Sequence, residues 1–240
     1  AALRRLVQSG IQIVPASGRA CTCLPHQLRA APLLFRYAIT SNGARVDDVR
    51  GHCLFCQEIY PDTALSLLSD CQTLRIGVSA HIRREYLLQG RLLQMMGKAV
   101  YGKDAEQARC VPDLRPLIKQ SRGAEELQFY FFSRTAREAL RQILSYYPTL
   151  NAVYSSSYVE IFSAEASKGK ALSALAQHLH LDRSQIACIG DSETDLSMFE
   201  AAGTRFAVGN AIDALKQQAD HVLPDRDHGP IAATAAILGI

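Results

Sequence analysis

Hydrophobic and polar positions along this chain follow two periods. Leu3, Leu6 and Val7 share one helical face that Gly10 ends, so residues 1–9 are predicted to be a helix. Ile11 to Pro15 and Tyr37 to Thr40 are apolar runs of strand length. Between them, residues 20–35 carry a helical pattern broken at Pro25 and Pro32. Toward the other end, Leu172, Leu175, Ala176 and Leu179 form one helical stripe. Ile186 to Ile189 reads as a fully buried strand, and Leu196, Phe199 and Ala202 mark a helix closed by Gly203. A strand at Phe206–Val208, a helix over 212–218, a strand at His221–Leu223 and a helix from Gly229 to Leu238 complete the pattern. Strands alternating with helices in both flanks predict an α/β fold with a doubly wound parallel-sheet, Rossmann-like core.

The middle of the chain has a different texture. Helices are predicted near 61–70 and 134–146, and strands near 73–79, 126–132, 150–155 and 158–162. Tyr130 to Phe132 is aromatic, which suits a strand packed on one face. Gly90, Gly97 and Gly102 break up the pattern, and residues 89–124 show no dominant period. The expected organisation is a core built from 1–46 and 160–240, with an α+β cap domain, 47–159, inserted in it.

Composition narrows the function classes. The 240 residues suffice for a core with an insertion, and 48% hydrophobic with 20% charged residues is ordinary for a globular protein. A net charge of +3 is too small to argue for a nucleic-acid partner. No apolar run reaches bilayer length and no signal-peptide pattern opens the chain, so no membrane partner is expected. Seven cysteines at uneven spacing suit free thiols in a reducing cytoplasm better than a disulfide framework. The first residue is Ala1 rather than Met, which leaves room for a longer natural sequence. Oligomeric state has no signature here.

Candidate chemistry gathers at the strand ends. Asp191 follows the buried strand 186–189 and Asp195 opens the next helix, with Ser192 and Thr194 between them. Ligands of open α/β sheets bind at that edge, and two carboxylates there suit a hard cation such as Mg²⁺; a helix N-cap is the alternative. Ser17-Gly18-Arg19 follows the strand 11–15, where a hydroxyl, backbone N–H groups and a guanidinium can face a phosphate, or simply form a turn. Asn42 and Asn210 sit at two further strand ends. Ser167 is placed to N-cap the helix bearing Leu172. Lys168 lies in its first turn, against the helix dipole; an anionic ligand there would account for it, and a solvated surface Lys is the alternative. Cys21, Cys23, His26, His52, Cys53 and Cys56 offer zinc-type residues with Cys53-Leu-Phe-Cys56 spacing, but Leu54 and Phe55 between the cysteines favour a buried element with free thiols. No G-x-G-x-x-G follows a strand, which argues against a dinucleotide-binding protein.

Taken in order, these motifs resemble those of the haloacid dehalogenase-like (HAD) phosphatase superfamily, in its Cof-type branch with a large cap. Ala16-Ser17-Gly18-Arg19 is similar to the second motif of that family, and Thr40-Ser41-Asn42-Gly43-Ala44 to the signature before the cap. Ser167-Lys168-Gly169 resembles the third motif, and Gly190-Asp191-Ser192 with Asp195 the acidic fourth. Ala207-Val208-Gly209-Asn210-Ala211 and Asp227-His228-Gly229-Pro230-Ile231 resemble the last landmarks. The resemblance implies a Mg²⁺-dependent phosphatase acting on a small phosphorylated substrate, a sugar phosphate for most of the family. It assigns Mg²⁺ to Asp191 and Asp195, the latter as a ligand or as holder of a liganding water, and phosphate to Ser17, Gly18 and Lys168; Arg19 would touch the substrate or salt-bridge the core edge. Asn42 and Asn210 would make supporting or substrate contacts, and the cap would cover the site. The binding-protein alternative is a catalytically inactive phosphosugar-binding relative.

Two departures qualify this. Thr194 stands where the family usually has Asn, a mild change since both make hydrogen bonds. The first motif, a strand ending Asp-x-Asp-Gly-Thr that supplies the nucleophile and the general acid/base, has no match in residues 1–240. In this fold that strand lies mid-sheet, and its loss would unpair two neighbours. The natural protein is therefore expected to carry roughly 20 or more additional residues, enough for a strand and a loop.

Overall fold

The computed structural model describes residues 2–95 and 102–240, so the break expected at Gly97 lies outside the described residues. Near the start, α1 (Ala2–Gln8) buries Leu6, as the 1–9 pattern predicts. The segment with Pro25 and Pro32 folds as short helical turns around α2 (His26–Arg29). Three strands then make an antiparallel sheet: β1 (Tyr37–Thr40), β2 (Arg45–Asp48) and β3 (Cys53–Cys56), in that order.

A six-stranded sheet follows. Its strands are β4 (Ile76–Ile82), β5 (Glu85–Gln89), β6 (Arg109–Val111), β7 (Glu126–Phe131), β8 (Leu150–Tyr154) and β9 (Tyr158–Ser163), in the order β6-β5-β4-β7-β9-β8. Its pairings are antiparallel except β5 with β6. Successive strand residues point to opposite faces, so each strand sorts its side chains. Leu127, Phe129 and Ile161 join Leu67, Ile118 and Leu140 in one apolar cluster, with α3 (Pro61–Asp70), α4 (Arg115–Gln120) and α5 (Arg134–Leu144) supplying the last three. Burying one such side chain stabilises by about 1.5–3 kcal/mol. The opposite face is polar: His81 stands across from Tyr86 and Glu126, Gln128 from Glu160, and Tyr130 from Tyr158. The expected boundaries of 46/47 and 159/160 fall inside β2 and β9.

The chain then returns through α6 (Lys168–His178) to a parallel sheet of β10 (Ala187–Gly190), β11 (Thr204–Ala207) and β12 (His221–Val222). Helices α7 (Leu196–Ala201), α8 (Asp213–Gln218) and α9 (Pro230–Ile237) alternate with these strands, and the fold is α/β. Ala171 and Leu175 of α6 pack on Ile39 and Val46, while Phe199 and Leu215 pack with Cys188 and Ala207.

The strand expected at Ile11–Pro15 is reduced to parallel bridges, Ile13 with Phe35 and Ala16 with Ile39. Pro15 has no N–H to extend a ladder, so it contributes only its carbonyl, which accepts from Ile39 N at 2.8 Å. Among the described residues, this segment pairs on one side alone, and β10 is likewise the edge of its sheet. Among the same residues, no helix is long and apolar enough to cross a membrane.

Candidate active site

The site starts at the turn after β1. Gly43 has φ +89°, and a Cβ there would fall 2.2 Å from the Ser167 carbonyl carbon. Only glycine lets this turn press against the start of α6. Ser167 caps that helix by accepting from Lys170 N at 3.1 Å, as its position predicts. Lys168 is thereby held with 6% of its surface exposed.

The sequence expectation was that an outside anion explains Lys168. The structure supplies that anion from within the chain: Lys168 Nζ donates to Asp195 Oδ1 at 2.7 Å. Asp195 Oδ2 accepts from Asp191 N at 2.9 Å, Ser192 N at 3.0 Å and Ser192 Oγ at 3.1 Å. Gly190 makes room for this, since a Cβ on it would sit 2.7 Å from Asp195 Cβ. Burial alone would raise the Asp195 carboxyl, but the Lys168 charge and the hydrogen bonds outweigh it and hold the group below its ordinary value. Asp191 is raised instead, by desolvation and by repulsion from Asp195.

Ser17, Lys168, Asp191 and Asp195 border one cavity of about 300 Å³, together with Gly18 and Arg226. The Ser17 and β10 edges described above meet at this hollow. Ser17 Oγ accepts from Arg19 N at 3.1 Å, which leaves its hydroxyl hydrogen to donate. A second cavity, also of about 300 Å³, shares Gly18 and Lys168 with the first. Ser192 and Thr194 border it from one side, and His81, Gln128 and Glu160 of the six-stranded sheet from the other.

For three sequence-derived candidates the structure supplies the supporting partners. Asn42, in the left-handed region at φ 53°, spends both amide hydrogens on carboxylates, Glu126 Oε2 at 2.9 Å and Glu160 Oε2 at 2.8 Å. It has no donor left for a phosphate. Asn210 borders neither cavity, and its Oδ1 accepts from Arg226 N at 3.0 Å. Arg19 borders the second cavity rather than the first and pairs with Asp104 at 2.7 Å. The His26 backbone N–H and Arg19 pull Asp104 down to about 2.

Sequence reasoning missed Arg226 and the polar sheet face. Ser41 Oγ meets His81 Nδ1 at 2.9 Å, and burial pulls His81 down to about 3, so it is neutral. Glu126 is pushed well above its ordinary value by burial and by Glu160, which burial also raises. The signal was present as the alternation Glu126, Gln128, Tyr130 along β7, opposed by Tyr158 and Glu160 along β9.

Among the described residues, no group of three or more His, Cys, Asp or Glu gathers as a metal cluster. Cys53 and Cys56 are exposed on β3, Cys23 is buried, and none of the seven cysteines is in a disulfide. Asp191 and Asp195 are the two acids at the first cavity. Mg²⁺ is commonly held by one or two carboxylates with waters and phosphate oxygens, so this donor set fits it.

Comparison with known proteins agrees with this geometry. The model of the haloacid dehalogenase-like hydrolase family matches residues 1–234. Over 123 residues, 51% of this chain, it is 32% identical to the 5-amino-6-(5-phospho-D-ribitylamino)uracil phosphatase YwtE of Bacillus subtilis. Over 80 residues, 33% of this chain, it is 42% identical to a phosphoglycolate phosphatase of Archaeoglobus fulgidus. The matched stretches span 43% and 36% of those two relatives. A crystal structure of a haloacid dehalogenase-like hydrolase from Bacteroides thetaiotaomicron superposes with a TM-score of 0.83 at 20% identity, covering 99% of this chain and 90% of that one. With a family match over nearly its whole length, the chain belongs to the haloacid dehalogenase-like hydrolases.

Proposed function

We propose that the protein is a Mg²⁺-dependent phosphatase that hydrolyses a small phosphate monoester, a sugar phosphate in the first instance. The observation that carries this reading is the convergence of Ser17, Lys168, Asp191 and Asp195 on one cavity. An ammonium and a hydroxyl donor suit phosphoryl oxygens, and an adjacent pair of carboxylates suits a divalent cation. The phosphatases among the chain's relatives support the same class.

The roles follow from the hydrogen bonds. Asp195 fixes the Lys168 ammonium and the Asp191-Ser192 backbone, so Lys168 meets the phosphoryl group at a set position without reorganisation. Ser17 donates its hydroxyl hydrogen to a phosphoryl oxygen. Asp191, with Asp195 beside it, would hold Mg²⁺. When bound, that ion supplies charge neutralisation and orientation of the phosphoryl group. Among the described residues Ile13–Ala16 and β10 each pair on one side alone, which suits a further strand between them. On the family pattern that strand carries the nucleophilic aspartate. Its carboxylate oxygen bonds to phosphorus as the ester P–O bond breaks, and a second aspartate protonates the leaving oxygen. Water then attacks phosphorus, returning the free carboxylate and inorganic phosphate. The inserted unit, 47–159, acts as the cap that excludes water.

The test is a panel of phosphate monoesters presented to the full-length protein with Mg²⁺ or with EDTA. Turnover that needs Mg²⁺ and falls at least 100-fold in Asp191→Asn is expected. Turnover unaffected by EDTA, or retained by Asp191→Asn, overturns the assignment. Tight binding of a sugar phosphate with no turnover would favour the inactive binding relative.

A further inference from the structure

The two cavities meet at Lys168 and Gly18. A monoester with its phosphoryl group against Lys168 in the first therefore extends its alcohol half into the second. The cap side of that second cavity is built from cross-strand polar neighbours, and most of them are already spent on one another. Gln128 Nε2 donates to Glu126 Oε1 at 2.6 Å, while Gln128 Oε1 accepts from Tyr86 at 3.0 Å and Tyr130 at 2.9 Å. His81 is tied to Ser41. Glu160 differs. Asn42 holds its Oε2 at 2.8 Å, and among the described residues its Oε1 has no hydrogen-bond partner.

Glu160 also borders the cavity, whereas Glu126 behind it is fully buried and does not. Asn42 bridges the two carboxyl groups, which fixes the Glu160 side chain through Oε2 and leaves Oε1 for a ligand. An acceptor held this way demands a donor. An apolar leaving group in the same place would bury that oxygen unpaired, which is costly in a desolvated site. A cavity of about 300 Å³ lies at the small end of ligand sites, which suits a monosaccharide-sized group rather than a dinucleotide.

We propose that Glu160 is the specificity-determining residue for the alcohol half of the substrate: its Oε1 accepts a hydrogen bond from a hydroxyl of a polyhydroxy monophosphate, with Asn42 as its positioning residue. This inference rests on the phosphatase reading above, and the experiment separates the two.

The full-length protein is assayed with Mg²⁺ on glucose 6-phosphate, glucosamine 6-phosphate and para-nitrophenyl phosphate. The readout is the ratio of kcat/KM for glucose 6-phosphate over para-nitrophenyl phosphate. That ratio is expected to fall at least tenfold in Glu160→Ala. In Glu160→Gln, which keeps the shape but loses the charged acceptor, it is expected to fall at least threefold. Circular dichroism checks that each variant folds, and if Glu160→Ala does not, the Glu160→Gln ratio decides. A ratio unchanged within twofold in the folded variants overturns the assignment of Glu160. So does a wild type that prefers glucosamine 6-phosphate to glucose 6-phosphate more than tenfold, since Glu160 would then pair with an ammonium. A wild type that turns over none of the three esters, and whose melting temperature inorganic phosphate does not raise, overturns the phosphatase reading itself.

Discussion

Asp195→Asn tests the buried ion pair at the heart of the site. Lys168 and Asp195 have side chains 7% and 6% exposed, with 2.7 Å between Nζ and Oδ1. The carboxylate also accepts from two backbone N–H groups and the Ser192 hydroxyl. An Asn side chain that keeps its oxygen on those donors turns its NH₂ toward the Lys168 ammonium. The result is a buried cation facing a donor. Removing one partner of a buried pair costs about 3–5 kcal/mol. Lys168→Met leaves a carboxylate that still has its backbone donors, so it should cost less, about 1–3 kcal/mol. The double variant removes both charges and should fall short of the sum of the single costs by at least about 1 kcal/mol. The chain has no Trp, so urea unfolding is followed by circular dichroism, in EDTA. Asp195→Asn should lower the midpoint by about 1–2 M with an unchanged slope. A loss below about 1 kcal/mol, as for an exposed pair, or strict additivity in the double variant, would refute the reasoning.

Other substitutions probe the surroundings. Gly43→Ala places a methyl group 2.2 Å from the Ser167 carbonyl carbon at φ +89°; it should cost about 3 kcal/mol or more, and a melting temperature within 2 °C of wild type (roughly the effect of 1 kcal/mol) would contradict this. Burial and Glu160 raise the Glu126 carboxyl well above its ordinary value, so the native state keeps its proton to higher pH than the unfolded chain does. The unfolded chain releases that proton above about pH 4.3, so wild-type stability falls as pH rises from there toward the raised native value. Glu126→Gln does not titrate; it should lose about 1 kcal/mol for a weakened acceptor but gain on wild type as pH rises above about 4.3, as melting curves will show, and a gap that widens in the other direction refutes it. Asp104, pulled down to about 2, stabilises the fold above about pH 4 and loses that contribution as pH falls toward 2. At this partly exposed rim the effect is at most about 1 kcal/mol, so acid titration of Asp104→Asn should show a slightly flatter stability profile, and an unchanged profile would refute the role given to Arg19 and His26.

Much of the core was legible because its elements are local. The Leu172–Leu179 stripe, the buried run at 186–189 and the glycines at their ends declare a helix and a strand whatever surrounds them. Strand β5 was not legible. It follows a hairpin turn at Arg83 and Arg84, both with positive φ, where Asn and Gly are the usual signal. Tertiary contacts hold that turn instead: Glu125 accepts from Arg84 N, and Asp47 lies 3.1 Å from the Arg84 guanidinium. Ser17, Lys168, Asp191 and Asp195 could be singled out in the sequence because each closes a strand or opens a helix. Asn42 was placed correctly in sequence, but the partners of its supporting contact were not legible. Those partners, Glu126 and Glu160, lie more than 80 residues away on a sheet whose polar face shows only once the strands are paired.

The central claim is that Lys168 and Ser17 present an anion site beside a cation site at Asp191. A crystal structure of the full-length protein grown with Mn²⁺ in place of Mg²⁺, and with phosphate, tests it most directly. The account predicts an anomalous peak within bonding distance of the Asp191 carboxylate, and phosphate oxygens in hydrogen-bond contact with Lys168 Nζ and Ser17 Oγ. Mn²⁺ bound away from Asp191, or phosphate held elsewhere with Lys168 still turned to Asp195 alone, would contradict it.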